Sequence, residues 1–298
     1  MLTIKNGMNS YVLKIVALLC MTIDHIAKYN ADCIPVVARF ANEMHLLGRI
    51  AAPLFMFLFA YSARYTHNRR QFLCRLYIIA MLTKLLECPI NLCFGSFLGY
   101  PSFRNIIFTF FYTAVYIYLL EAVFRRGGGL AGRRLMALLG IAAITYVPDR
   151  LWHLADRSDF FRSFAGEYAS VARSVLDAVC ANPIHTEYGL PLILLGVVFY
   201  FVQTKGRQML ALAGFCLFWP MLATVMSSCE LIQQMGQYLR DLPFVNIYMD
   251  GIQWFGMLLA LPFMLLYNGE SPNKHKYFFY GYYAVHLYVL VLLRALLS

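Results

Sequence analysis

The chain has 298 residues, 61% hydrophobic and only 13% charged, where soluble domains carry about 25% charge. With a mean hydropathy of +0.61, that balance excludes an ordinary soluble domain and points to a polytopic membrane protein. The net charge of +10 lies in short loops between apolar runs, not on a solvated basic face, which excludes a nucleic-acid binder.

Apolar runs and their polar punctuation predict an all-α transmembrane bundle of about nine spans. These are 10–28, 46–63, 72–94, 104–124, 133–148, 188–204, 208–228, 250–268 and 277–297. No Pro/Gly/Ser-rich linker divides the chain, so 1–298 reads as one domain. MLTIKNGMNS is short and polar, and no small-residue cleavage site follows the first apolar run, so that run reads as a retained span. Alternate loops gather cations, among them Arg64, Arg69, Arg70, Arg133, Arg134, Lys205 and Lys276. The intervening loops hold most of the carboxylates, such as Asp32, Glu43, Asp149, Asp177 and Glu187. The positive-inside rule then predicts a cytoplasmic N-terminus, an outer C-terminus and an odd number of spans, as in a bacterial inner membrane.

The stretch Asp149–Glu187 is too polar for a span and predicts an extracytoplasmic segment. Within it, EYASVARSVLDAV sets Val171, Val175, Leu176 and Ala178 against Arg173 and Asp177. That pattern predicts an amphipathic surface helix, either a lid over a site or a plain connection. The eight cysteines show no CxxC spacing, so no zinc site is expected. Cys33, Cys180 and Cys229 fall in outer segments, where a disulfide can form.

The first span, YVLKIVALLCMTIDHIAKYN, carries Lys14 near its start and Asp24-His25 near its end. Lys14 and His25 have ten residues between them, about three helical turns or ~16 Å, which puts both on one face. Asp24 and His25 diverge by ~100°, so one faces a site and the other a neighbouring helix. A histidine deep in a membrane helix either accepts protons in chemistry or packs as a satisfied interfacial group. In HLLGRIAAPLFMFLFAYS, Arg49 follows the close-packing Gly48, so it pairs with Asp24, binds a developing oxyanion or anchors the outer interface. Lys84 and Glu87, three apart, form a candidate ion pair before Pro89. In the last span Tyr280, Tyr283 and His286 recur on one stripe, with His286 near mid-bilayer. No nucleophile-elbow, zincin, P-loop or dinucleotide motif is present.

LKIVALLCMTIDHI, GRIAAPLFMFLFAY with Arg64-Tyr65-Thr66, YGLPLILLG, ALPFMLLYNGE and KYFFYGYYAVHL together resemble the TraX family. That family is typified by the N-acetylase of conjugative F-type pilin. The likeness runs from Leu13 to about Leu292, with a variable middle from about Phe124 to Glu187. The family's Phe-Tyr-Pro-Ala-His stands here as Tyr282-Tyr283-Ala284-Val285-His286, which puts any proline kink in doubt. The family also resembles the acyltransferase-3 superfamily, which shares a basic residue, ten intervening residues and a histidine on one helix. The resemblance implies a transmembrane acetyltransferase with acetyl-CoA as co-substrate. Lys14, with Arg69, Arg70 and Lys276, would bind the anionic CoA head. His25, with Asp24, Arg49 and His286, would carry the transfer. The acceptor would be an exported peptide, a pilin N-terminus or a surface glycan. Against this stands a transporter of a peptide or glycan, in which the same buried groups relay protons. No inverted repeat supports it.

Overall fold

The computed structural model describes residues 7–99, 102–124, 130–158, 169–184, 186–228, 251–272 and 276–297. No strand occurs among them, and one isolated bridge joins Met8 to Tyr267. The chain divides into two compact units, Met1–Arg64 with Val198–Ser298 and Tyr65–Val197.

In the first unit, helix α1 (Ser10–Asn30) begins where Asn9 caps it, its side chain accepting from the Tyr11 and Val12 amides. The short α2 (Pro35–Arg39) leads to α3 (Ala41–Gly48) and α4 (Ala51–Arg64). The break between α3 and α4 falls at Arg49-Ile50, where amides bond three residues back, Arg49 to Leu46 and Ile50 to Leu47. Pro53 contributes to it, because it has no N–H to offer the Arg49 carbonyl. α1 packs against α3, α4 and the final helix.

The second unit contains α5 (Arg69–Leu85), α6 (Glu87–Leu98), α7 (Ile106–Phe124), α8 (Leu130–Arg157) and α9 (Ala169–Val179). α10 (Gly189–Phe201) returns the chain to the first unit. There follow α11 (Lys205–Ser228), α12 (Gly251–Gly256), a 3-10 turn (Met257–Ala260), α13 (Leu261–Leu266) and α14 (Lys276–Leu297). Arg64 donates to the Phe199 and Tyr200 carbonyls, satisfying groups that the end of α10 leaves without helical partners.

Among the described residues five helical stretches are long and apolar enough to cross a membrane: Ser10–Asn30, Ala41–Arg64, Arg69–Leu98, Ile106–Phe124 and Phe278–Leu297. This is fewer than the nine expected. Gly189–Phe201 and Trp254–Leu266 are apolar but short, reaching only ~20 Å against a hydrocarbon core of ~30 Å. Leu19, Leu82, Val285 and Val289 project outward and stay exposed, which suits lipid contact. The protein is an all-helical membrane protein.

Partners along α1 and α14 advance together: Tyr11 meets Phe279, Thr22 meets Tyr282, His25 meets His286 and Asp32 meets Arg294. The two helices therefore run parallel.

Two expectations need correction. α8 does not stop at residue 148 but continues through Pro148 to Arg157. Asp149 is thus a buried helical residue, accepting from Asn182 Nδ2 at 2.9 Å. A proline removes one backbone bond, which packing can outweigh. The amphipathic helix exists as α9, but its buried face is Ser174 and Ala178 while Val175 is exposed. Ser174 donates to Glu87 Oε2 at 3.0 Å, and Asp177 approaches Lys84 Nζ at 3.5 Å. The ion pair beneath it, rather than its apolar stripe, sets the helix's orientation.

Candidate active site

α1 places its functional side chains on two faces. One meets α14. Lys14 Nζ lies 5.7 Å from the Phe279 ring centroid, and three turns further on His25 meets His286. The shared face expected for Lys14 and His25 is therefore present. His25 Nδ1 and His286 Nε2 are 2.8 Å apart, and their rings stack at 5.1 Å and 16°. His286 Nδ1 reaches the Tyr282 carbonyl at 2.9 Å.

These contacts decide the tautomers. A carbonyl oxygen only accepts, so His286 Nδ1 carries a proton. With His286 neutral, its Nε2 accepts, so His25 Nδ1 donates, leaving the lone pair of neutral His25 on Nε2. Both histidines are buried.

Tyr282 completes this face, and sequence reasoning missed it. The stripe Tyr280-Tyr283-His286 drew attention, but the stacking partner lies four residues before His286, one turn along the helix. The Tyr282 and His286 rings stack at 5.2 Å and 10°. Thr22 Oγ1 donates to the Leu18 carbonyl at 2.8 Å, so the Tyr282 hydroxyl, 2.8 Å away, donates to Thr22. Tyr283, also buried, meets the His286 ring at 5.7 Å. α14 runs unbroken through Ala284, so the missing proline leaves no kink there.

The other face meets α3. Asp24 Oδ1 accepts from Arg49 Nη2 and from His45 Nδ1, each at 2.8 Å. Asp24 therefore holds Arg49 and His45 and does not touch the His25 ring through these bonds; the ~100° divergence sends the neighbours to different helices. Arg49 Nε also donates to the His45 carbonyl at 3.2 Å, which braces the guanidinium on the end of α3 while its Nη2 reaches Asp24 of α1. Gly48 makes this approach possible: a Cβ there would lie 2.2 Å from Asp24 Cβ. Gly256 of α12 plays a similar part, since a Cβ on it would stand 3.1 Å from Arg49 Cβ. His45 is a second residue the sequence did not flag; only its position four before Arg49 hinted that it shares Arg49's face.

Arg69 and Arg70 belong to the second unit. There Arg69 pairs with Glu121 at 2.6 Å and lies 4.7 Å from the Tyr118 ring centroid, while Arg70 is exposed. Lys276 opens α14, and its side chain lies outside the described residues. Cys33 and Cys180 carry free thiols, and Cys229 lies outside the described residues.

Lys84 and Glu87 form the ion pair anticipated from their spacing, with Nζ 2.9 Å from Glu87 Oε2. Lys84 also donates to Ser102 Oγ and the Phe103 carbonyl, and Glu87 accepts from the Phe103 amide and Ser174. With this many partners the pair serves as a structural junction of α5, α6 and α9.

A search of curated proteins found no match to this chain, and a search of solved structures found none either. A protein-family model described as TraX protein matches residues 9–149 and 168–294. The unmatched interval, 150–167, is narrower than the variable middle inferred from motifs alone. Both faces of the site, from Lys14 to His286, lie inside the matched residues, and the chain belongs to the TraX family.

Proposed function

We propose that this protein is a membrane acetyltransferase that moves an acetyl group from cytoplasmic acetyl-CoA to an acceptor on the extracytoplasmic side. The acceptor is an amine, such as a pilin or peptide N-terminus, or a hydroxyl. Membership of the TraX family supports the reading, and one geometric observation carries it: the chain Tyr282 carbonyl, His286, His25, which leaves a lone pair on a buried imidazole Nε2. Lys14, on the same helical face, binds the anionic head of CoA. His25 Nε2 attacks the thioester carbonyl carbon. The C–S bond breaks, CoA leaves as the thiolate, and the His25 Nδ1 proton passes to His286 Nε2. Proton uptake by a positioned histidine contributes about 10²–10⁴-fold to such a step.

The test uses purified protein in liposomes with labelled acetyl-CoA on the Lys14 side and a peptide amine on the other. The wild type transfers label, and His25→Ala lowers transfer by about 100-fold or more. Full transfer by His25→Ala removes His25 from the chemistry. A wild type that neither binds acetyl-CoA nor transfers label overturns the enzyme reading.

A further inference from the structure

His45 stands outside the donor-side relay, yet its surroundings are those of a catalytic base. Its Nδ1 lies 2.8 Å from Asp24 Oδ1. A carboxylate oxygen accepts, so Nδ1 carries the proton and the lone pair of neutral His45 sits on Nε2. Asp24 is held in turn by Arg49, which keeps the carboxylate directed at the imidazole. A base oriented by a third, fixed group is the arrangement that activates nucleophiles. The side chain of His45 is 30% exposed, while His25 as a residue is 3% exposed and His286 6%. The buried pair and the accessible histidine flank the same turn of α1, one beside Asp24 in sequence and the other bonded to it.

We infer that His45 Nε2 is the general base of the acceptor half-reaction, taking a proton from the incoming amine or hydroxyl. The inference rests on the acetyltransferase reading and divides it between two histidines: His25 receives the acetyl group, and His45 activates what takes it away. The acceptor nitrogen or oxygen bonds to the acetyl carbonyl carbon while its proton passes to His45 Nε2. The bond from that carbon to His25 Nε2 breaks, its electron pair returns to the ring, and His25 Nδ1 recovers its proton from His286. His45 then loses its proton to outer water. Among the described residues, the charged groups facing His45 are Asp24 from α1 and Arg49 beyond the end of its own helix. α12 approaches through Gly256 against apolar carbons of Leu46 and Arg49.

The experiment compares wild type, His45→Asn and His45→Gln in liposomes, with a peptide bearing a free N-terminal alanine as acceptor. His45→Asn keeps an N–H near the Nδ1 position for Asp24 but has no basic Nε2. The inference expects both variants to bind acetyl-CoA like the wild type and to lose acetyl transfer by about 100-fold near neutral pH. Added imidazole, or a pH high enough to deprotonate the amine without help, restores part of the rate. Diethyl pyrocarbonate applied to wild-type liposomes from the acceptor side gives a measurement independent of variant folding. Carbethoxylation of His45, mapped by mass spectrometry, should track the loss of transfer while acetyl-CoA binding persists. Transfer within twofold of the wild type in either variant, loss that imidazole and pH do not restore, or activity indifferent to His45 modification overturns the inference. A wild type without any transfer overturns the parent reading instead.

Discussion

Gly48→Ala tests the contact on which the Asp24 face depends. A Cβ at position 48 would stand 2.2 Å from Asp24 Cβ and 2.7 Å from its Cγ and Oδ1. Carbon atoms rest at about 3.5–4.0 Å, so α1 and α3 must separate by about 1.3 Å or more. No rotamer relieves this, because the nearest atom is the Cβ of Asp24, fixed to the α1 backbone. Arg49 is the next residue after Gly48 and moves with it. Carried along the contact, that shift opens the 2.8 Å Asp24–Arg49 bond to about 4 Å, beyond hydrogen-bond range. Overpacking costs about 1–3 kcal/mol, and breaking a buried ion pair about 3–5 kcal/mol. Relaxation makes these less than additive, so a loss of about 3 kcal/mol is expected. Thermal unfolding of the purified protein in detergent should show a drop in Tm on the order of 5–10 °C. Gly281→Ala is the control, since nothing lies within 4 Å of a Cβ at that α14 position; there a helical alanine is neutral or stabilising. A Gly48→Ala protein that melts with the wild type would refute the close-approach argument.

The Lys84–Glu87 junction predicts a different pattern. Lys84→Met alone strands the Glu87 carboxylate and should destabilise by about 3–5 kcal/mol, whereas Lys84→Met with Glu87→Met should cost less than the single change. Thermal melts of the single and double variants decide it, and a double variant no better than the single one counts against a structural pair. The parallel run of α1 and α14 predicts that reporters fused to the N- and C-termini fall on opposite sides of the membrane, the N-terminal one cytoplasmic by the loop charges. Reporters active on the same side would contradict the pairing of His25 with His286.

Composition and periodicity alone establish the membrane class, the first and last helices to within two residues, and the placing of Lys14 and His25 on one face. These follow from composition and from the 3.6-residue period, which are local properties. Gly48 was legible as a close-packing position for the same reason, since a missing side chain beside a charged helix invites approach. Local pattern also showed that Asp24 and His25 diverge, but not what each would meet. Helix packing settles that Asp24 binds His45 and Arg49, and that His25 shares a hydrogen bond with His286, 261 positions along the chain. Pairing at such separation depends on which helices pack and in which direction. Tyr282 was overlooked because the α14 stripe was read for periodicity, whereas its role comes from a carbonyl and a hydroxyl aimed at particular neighbours. The orientation of α9 followed from the Lys84–Glu87 pair and not from its own apolar face, because a buried charge demands partners more strongly than a few exposed methyl groups demand burial.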